Sequence, residues 1–251
     1  MKKIFYLLCA FAFFQTTLFS AEPNLHICTV ASQHTKGLDQ LLDSCDRYGI
    51  SIDVLGLGKK FRGLSHKLIY VKKYIQNLHD NDVVLFVDAY DVLFFATEDK
   101  IMKTFLRMRK PFIISVERYC WPYSDLEPHF PRGPTSNRYI NSGSFMGYVY
   151  RLKEILTDIN PRPYEDDQGL FTLHYFKHPD LYTFDAHCKL FLPMAGIIMY
   201  ELKLDYLKKN VALKETGIKP CLIHGNGGSR PMYQEIYDEF YLEDSDSEDA
   251  S

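Results

Sequence analysis

Two aspartates that directly follow an apolar run are the residues of this sequence best suited to chemistry. The run, residues 83–87, is five apolar residues long, which is typical of a strand buried on both faces. Asp88 and Asp91 follow it, with Tyr90 between them. Carboxylates at the carboxyl end of such a strand suit Mg²⁺ or Mn²⁺, and ligands of open α/β sheets gather there. The pair predicts a metal–diphosphate site, with capping or solvated aspartates as the alternative.

A histidine ends a second apolar run much later in the chain. His224 follows residues 221–223 and precedes a loop that contains Asn226 and Gly227. Imidazole binds a borderline metal beside carboxylates, and backbone N–H groups of a glycine-rich loop can approach phosphate oxygens. Because the ends of two strands can face one cleft, His224 is a third candidate ligand. A hydrogen-bonded histidine at a strand end is the alternative.

Four further motifs stand around the acidic turn. They are ERYCWP at 117–122, NSGSF at 141–145, DDQ at 166–168 and HGNG at 224–227. In this order and at these spacings, the sequence resembles the glycosyltransferase domain of procollagen lysyl hydroxylases and the related procollagen galactosyltransferases. The resemblance runs from about Leu25 to Arg230, and we expect no hydroxylase domain in these 251 residues.

The resemblance implies a donor site for UDP-glucose or UDP-galactose. It places Asp88, Asp91 and His224 around Mn²⁺, with Mg²⁺ as the alternative ion, and Tyr90 against the uracil ring. Phe61 stands where the family usually has a tryptophan, so it keeps a stacking face but lacks the indole N–H. The other donor-site residues that the resemblance implies are Thr29, Val30, Lys67, Asn141, Ser142, Asn226, Gly227 and Arg230.

The acceptor side is assigned to an acidic pair and to the single tryptophan. Asp166 and Asp167 match the end of an acidic run that the family requires for transfer. A carboxylate that faces the sugar can stabilise an oxocarbenium-like centre, act as a base or bind hydroxyl groups, whereas Asp166 also suits a helix N-cap. Trp121 can stack on an acceptor sugar or anchor its proline-flanked loop.

The element pattern predicts an α/β fold that is GT-A-like and Rossmann-type, with a central, mostly parallel sheet flanked by helices. The chain opens with a strand at 25–31, a helix at 37–48 and a strand at 50–54. Further helices are predicted at 66–78, 98–108 (capped by Thr97), 152–159 and 167–175. Further strands are predicted at 112–116, at 139–150 with a break at Ser142–Gly143, and at 182–192, 196–204 and 221–224.

The two ends of the chain differ in composition from the middle. Lys2 and Lys3, an apolar stretch at 4–14 and a small-residue site at 20–21 predict a signal peptide over 1–21, hence an exported protein. Eleven apolar residues are too few to span a bilayer comfortably, although an uncleaved anchor is the alternative. We expect the glycosyltransferase domain at 22–237 and an acidic, disordered tail at 238–251.

The charge balance favours an anionic small molecule as partner and gives no sign of nucleic-acid binding. Without the seven acidic residues of 238–251, the chain has 29 basic and 25 acidic residues. No Lys/Arg stripe of the kind that a phosphate backbone requires is present. The family resemblance, not the charge, implies hydroxylysine or galactosyl-hydroxylysine of a collagen-like protein as the acceptor. A transferase that builds surface glycans, of the lipooligosaccharide type, and a non-catalytic secreted protein that binds sugar nucleotides or glycans are the alternatives.

Overall fold

The computed structural model describes residues 22–242, which form a five-stranded sheet, a three-stranded sheet, a hairpin and six α-helices. The strands are β1 (Leu25–Val30), β2 (Ile52–Leu55), β3 (Val83–Asp88), β4 (Val92–Phe94), β5 (Phe112–Glu117), β6 (Tyr139–Tyr148), β7 (Phe191–Pro193), β8 (Leu202–Asp205), β9 (Asn210–Leu213) and β10 (Leu222–His224). The helices are α1 (Lys36–Tyr48), α2 (His66–Tyr74), α3 (Glu98–Met108), α4 (Val149–Ile159), α5 (Asp167–Lys177) and α6 (Arg230–Tyr237).

The five-stranded sheet is mostly parallel, as predicted. Its strand order is β2-β1-β3-β6-β5. The pairs β1–β2 and β1–β3 are parallel, whereas β6 runs antiparallel to both β3 and β5. Four of the five strands therefore point in one direction, and the α/β expectation is confirmed. Strand β3 is central, so its carboxyl end opens near the middle of the sheet.

Alternation along β3 supplies the hydrophobic cores on both faces of this sheet, because successive side chains of a strand point to opposite sides. Leu85 and Val87 pack in a core that includes residues of α1 and α3. Val84 and Phe86 pack in a second core that includes residues of α2, α4 and α5. The unbroken apolar run in the sequence therefore reflects burial on both faces.

The helix ends follow their capping residues. The Thr35 side chain accepts a hydrogen bond from the backbone N–H of Leu38 at the start of α1, and Gly49 ends that helix with a φ of 62°. A left-handed conformation of this kind favours glycine. Thr97 caps α3 through the N–H of Lys100, so the predicted cap is confirmed.

The three-stranded sheet brings a late part of the chain back to the end of β3. Its order is β4-β10-β7, with β10 antiparallel to β4 and parallel to β7. The register places His224 opposite Val92, one residue after the acidic turn. Strand β4 was not predicted, because three residues are too few to show the alternation of apolar and polar side chains that identifies a strand.

The predicted break at Ser142–Gly143 lies inside one continuous strand, so that prediction is wrong about the element. The irregularity is instead in the pairing. Between the pairs Ile114–Phe145 and Val116–Ile140, β5 advances two residues while β6 advances five. This bulge leaves residues 141–144 out of the ladder with β5, and their polar groups are free to face a cleft.

The last third of the domain differs most from the predicted elements. Of the predicted strand 182–192, only the end belongs to a strand, β7. Of the predicted strand 196–204, only the end belongs to β8. Strand β9 and helix α6 were not predicted. The predicted tail begins too early, since residues 238–242 form a helical turn in which Phe240 is fully buried. The Tyr241 hydroxyl also donates a hydrogen bond to the carbonyl of Phe94. Hydrophobic residues thus hold this segment to the domain despite its charge.

The predicted signal peptide (1–21) and the remainder of the tail (243–251) lie outside the described residues. Within residues 22–242, no helix is long and apolar enough to cross a membrane.

Candidate active site

Three side chains of types that can bind a metal meet where β3 ends. Asp88 is the last residue of β3, Asp91 lies in the turn before β4, and the antiparallel pairing of β10 with β4 brings His224 beside them. His224 Nε2 lies 3.2 Å from Asp91 Oδ1 and 3.7 Å from Asp88 Oδ2. One ligand atom of each residue lies within 4.8 Å of the others. We call these three residues the cleft cluster.

The hydrogen bond on the far side of His224 leaves its Nε2 free for a metal. Asn141 Oδ1 lies 3.2 Å from His224 Nδ1, and an amide oxygen can only accept, so Nδ1 carries the ring proton. In the neutral tautomer, Nε2 then presents its lone pair to the carboxylates. Two carboxylates and an oriented imidazole form a donor set that fits Mn²⁺.

Burial and charge set the protonation of this cluster. Burial by itself would lower the pKa of His224, but the adjacent Asp91 and Asp88 carboxylates raise that pKa above its ordinary value. Burial would raise the pKa of Asp91, but His224 and Arg230 bring it below the ordinary value. Burial dominates at Asp88 and raises its pKa despite the nearby Lys67. A divalent cation would supply positive charge to the same buried carboxylates.

Gly143 is required by the close approach of β6 to this cluster. A Cβ atom at this position would come within 3.0 Å of the His224 ring and of Asp88 Oδ2. Real Cβ atoms do not approach other atoms so closely, so only glycine leaves space for the imidazole. Gly143, which the sequence placed in a strand break, is therefore needed for the packing of β6 against the site.

A buried lysine joins the cleft cluster to the acidic pair. Lys67, from the first turn of α2, lies 2.7 Å from Asp88 Oδ1 and 2.9 Å from Asp167 Oδ2 through its Nζ atom. Burial would lower the pKa of Lys67, but Asp167 and Asp88 raise it above its ordinary value, so the amine stays charged. Lys67 thus makes one connected charge network of two motifs that lie about 75 residues apart in the sequence.

The acidic pair begins helix α5, and its two members have different surroundings. Asp166 is the N-cap, and its Oδ1 accepts a hydrogen bond of 2.7 Å from the backbone N–H of Gly169. Asp167 is buried and turns towards Lys67. The capping interpretation therefore holds for Asp166, while the carboxylate of Asp167 is held inside the cleft by an ion pair.

Glu117 organises the site, although the sequence analysis gave it no role. It ends β5 and accepts hydrogen bonds from the side-chain amides of Asn141 (3.2 Å), Gln168 (2.8 Å) and Asn226 (2.8 Å). Burial raises the pKa of Glu117, opposed by these three donors. A glutamate at the end of an apolar strand was the available signal, since a buried carboxylate needs donors around it.

One cavity of about 690 Å³ contains most of the predicted site residues. The predicted residues that line it are Lys67, Asp88, Asp91, Trp121, Asn141, Ser142, Asp166, Asp167, His224, Asn226 and Gly227. Trp121 is 62% exposed at this cavity and so is available to a ligand. A cavity of this size accommodates a ligand larger than a single sugar ring.

The other five predicted residues surround the cavity without lining it. Thr29 and Val30 are buried at the end of β1, where Val30 pairs with Asp88. The Tyr90 hydroxyl accepts hydrogen bonds from the backbone N–H groups that follow this strand, at residues 32 and 33. Phe61 is 44% exposed, with its ring 6.1 Å from that of His66. Arg230 begins α6 and places a guanidinium nitrogen 3.4 Å from Asp91 Oδ2.

Comparison with known proteins decides the family. The sequence model of one protein family, the PLOD GT domain, matches residues 21–247, nearly the whole chain. This chain belongs to the PLOD GT domain family. The resemblance inferred from the four motifs is thereby confirmed, and the chain is a member of a glycosyltransferase family.

Relatives of this PLOD GT domain are longer multifunctional proteins. The chain is 30% identical to the multifunctional procollagen lysine hydroxylase and glycosyltransferase of Caenorhabditis elegans, over 92% of this chain and 34% of that protein. It is 26% identical to the human multifunctional procollagen lysine hydroxylase and glycosyltransferase LH3, over 82% of this chain and 30% of that protein. The chain thus spans about a third of the length of these relatives.

A solved structure is also similar to this PLOD GT domain. A glycosyltransferase involved in the glycosylation of the major capsid of PBCV-1 aligns with a TM-score of 0.46 at 12% identity, over 85% of this chain and 99% of that one.

Proposed function

We propose that this chain transfers glucose or galactose from a UDP-sugar to a hydroxyl group, with Mn²⁺ held by Asp88, Asp91 and His224. The observation that carries the proposal is the convergence of these three ligands inside the 690 Å³ cavity. The imidazole ligand favours Mn²⁺ over Mg²⁺, which prefers an all-oxygen shell. When bound, the metal offsets the charge of the diphosphate and makes UDP a better leaving group.

The residues around the cluster would bind and orient the donor. Arg230 lies beside Asp91 with its side chain 68% exposed, so its guanidinium is available to a phosphate oxygen. The loop of Asn226 and Gly227 lines the cavity and offers backbone N–H groups. Glu117 fixes the amide of Asn226, and the Asn226 Oδ1 in turn accepts a hydrogen bond from the N–H of Ala195. Such preorganised donors suit a diphosphate better than mobile side chains do.

The acceptor half of the proposal assigns the transfer step to Asp167, with Asp166 beside it. Asp167 lies on the opposite side of Lys67 from Asp88, so its carboxylate is separated from the metal ligands by one buried cation. From there it can bind the transferred sugar, stabilise positive charge at its anomeric carbon or accept the proton of the acceptor hydroxyl. Asp166 lines the cavity and uses one oxygen as a cap, so its other oxygen would be available to the acceptor side.

The acceptor that we propose is hydroxylysine or galactosyl-hydroxylysine in a collagen-like chain. The relatives are named for procollagen lysine hydroxylation and glycosyl transfer, which supports this class of acceptor. The exposed rings of Trp121 and Tyr119, at 62% and 59%, both line the cavity and provide faces on which a sugar can stack.

A donor and acceptor screen tests this function. Release of UDP is measured from UDP-glucose and UDP-galactose with Mn²⁺ or with EDTA, using collagen-derived peptides that carry hydroxylysine or galactosyl-hydroxylysine. Transfer that requires both Mn²⁺ and a peptide acceptor supports the proposal. Transfer only to a lipooligosaccharide-type glycan would retain the enzyme and overturn the acceptor. Binding of UDP without any turnover would leave only a sugar-nucleotide-binding protein.

The proposed place of action is outside the cytoplasm, on the basis of the N-terminal pattern of charge, apolar stretch and small residues. Sequencing the N-terminus of the protein purified from its host should give a chain that begins close to residue 22. An intact Met1 on the exported protein would overturn the cleavage.

A further inference from the structure

A second group of metal-binding side chains lies outside the cleft. His174 is in the last turn of α5, His178 follows four residues later as the C-cap, and Asp158 lies near the end of α4. One ligand atom of each lies within 4.8 Å of the others. None of the three lines the 690 Å³ cavity. We call them the helix-end cluster.

The distances within this cluster match a tetrahedral ligand shell. The Nε2 atoms of His174 and His178 lie 3.3 Å and 3.5 Å from the same carboxylate oxygen, Asp158 Oδ2. Four ligands placed tetrahedrally at about 2.0–2.1 Å from zinc are separated from one another by about 3.3–3.4 Å. The observed separations therefore require little movement to admit an ion.

The surroundings of His174 leave its Nε2 atom available. The Tyr182 hydroxyl lies 2.8 Å from His174 Nδ1 and can accept a hydrogen bond from it. Such a hydrogen bond orients the imidazole, as residues that hold the histidine ligands of metal sites commonly do. Asp158 is exposed and His178 half-buried, so an ion and a water molecule can reach the cluster from solvent.

We propose that Asp158, His174 and His178 bind a transition-metal ion of the Zn²⁺ class, with water in the fourth position. Two imidazoles and one carboxylate suit zinc, whereas an oxygen-rich set would suit Mn²⁺ or Mg²⁺. The ion joins the end of α4 to the end of α5. Because α5 begins at Asp167, the site fastens the far end of the helix that carries the acceptor-side carboxylates.

The test separates this site from the cleft by removing the cleft ligand first. The His224→Ala chain is titrated calorimetrically with ZnCl₂ at neutral pH. We expect this variant to bind one Zn²⁺ per chain. Adding either His178→Gln or Asp158→Asn should lower the zinc affinity by at least about 10–100-fold. Losing a residue that only hydrogen-bonds to a metal ligand already has an effect of that size. Both positions are solvent-accessible, so neither substitution should impair folding.

A matched histidine variant and a structural readout complete the test. His79→Gln changes an exposed histidine outside the cluster and should leave zinc binding unchanged. X-ray absorption of the zinc-loaded His224→Ala chain should show nitrogen and oxygen ligands. No zinc binding in this chain, or binding that survives both cluster substitutions, would overturn the site and leave two histidines that share one carboxylate. Sulfur in the shell would place zinc on one of the five free cysteines within residues 22–242.

Discussion

The two Asp/His clusters contain the same ligand types in opposite proportions and in opposite surroundings. The cleft cluster has two carboxylates and one imidazole, lies at the ends of buried strands and faces two cations, Lys67 and Arg230. The helix-end cluster has two imidazoles and one carboxylate and lies at the ends of two helices beside solvent. Under the proposals above, the first would hold a metal beside a large anionic ligand, and the second would hold only an ion.

The clusters also differ in how the fold creates them. His174 and His178 are four residues apart, and the N–H of His178, the C-cap, donates to the carbonyl of His174, so the local chain brings both rings together. His224 reaches Asp91 only because β10 pairs with β4, although about half of the chain separates the two strands in sequence. The cleft cluster therefore depends on tertiary structure, and its supporting residues, Asn141 and Gly143, come from yet another strand. A long-range site needs such support, because nothing local fixes its geometry.

The largest expected effect comes from removing the histidine of the cleft cluster. His224→Ala should weaken Mn²⁺-dependent binding of UDP and reduce turnover by more than about 100-fold, because loss of outer partners already costs about 10–100-fold at metal sites. His178→Gln, in zinc-free buffer with Mn²⁺, should keep transfer close to that of the parent chain. For each variant, calorimetric titration with UDP in the presence of Mn²⁺ measures UDP binding, and a UDP-release assay measures turnover. Equal effects of the two variants would remove the distinction between the clusters.

The next effect separates the carboxylate at the start of α5 from the carboxylate on α4 that lies beside the end of α5. Asp167→Asn should reduce the rate of transfer by about 10²–10⁴-fold while UDP affinity stays nearly unchanged, since Lys67 keeps its 2.7 Å contact with Asp88. Asp158→Asn makes the same chemical change on α4, beside the far end of α5, and should not alter transfer in zinc-free buffer. Initial rates with saturating donor give the comparison. Parent-like transfer by Asp167→Asn would reduce this aspartate to an ion-pair partner of Lys67.

A smaller effect tests the support that the cleft cluster needs. Gly143→Ala should weaken Mn²⁺ binding by about 10–100-fold, because the added Cβ would come within 3.0 Å of the His224 ring and displace it. Gly133→Ala is the matched control, since a Cβ there meets its nearest atoms at 3.6 Å, an ordinary contact. Titration of both variants with Mn²⁺, alongside circular dichroism, gives the result. An unchanged Mn²⁺ affinity in Gly143→Ala would mean that the imidazole is not held by this packing.

The elements that position the site were predictable where one local signal was strong. Residues 83–87 indicated a strand buried on both faces, and Thr97 indicated the start of α3, because each signal is carried by neighbouring residues. The three-residue strands β4 and β7 have no such signal, since their burial depends on the chain that packs over them. For α6, Pro231 near the first helical position was an unused indication.

The sequence named residues that the fold brings together, but it did not show how they are connected. The family motifs named Lys67, Asp88 and Asp167, yet only the fold shows that the lysine joins the two aspartates. The hub role of Glu117 arises from three amide donors on three other segments, which no spacing in the sequence reveals. The helix-end cluster was also missed, although a histidine pair four residues apart is a recognisable pattern on a helix.

The smallest expected effect concerns the N-cap of α5, the helix that runs from the acidic pair to the helix-end cluster. Asp166 Oδ1 accepts the N–H of Gly169, and replacing such a cap by alanine costs about 1 kcal/mol in free energy of unfolding. Asp166→Ala should show this loss in urea titrations, whereas Asp166→Asn should not, because asparagine caps as well as aspartate.

Transfer assays on the same two variants separate the cap from the charge. If the second oxygen of Asp166 faces the sugar, Asp166→Asn lowers transfer less than Asp167→Asn does, even though the helix remains capped. Parent-like transfer in Asp166→Asn, together with reduced transfer in Asp166→Ala, would instead mean that Asp166 acts only by holding the first turn of α5, and with it Asp167, in place. Zinc affinity at the helix-end cluster, measured in the His224→Ala background, should be the same in both variants. The frayed turn lies at the start of α5, while His174 and His178 are held at its other end.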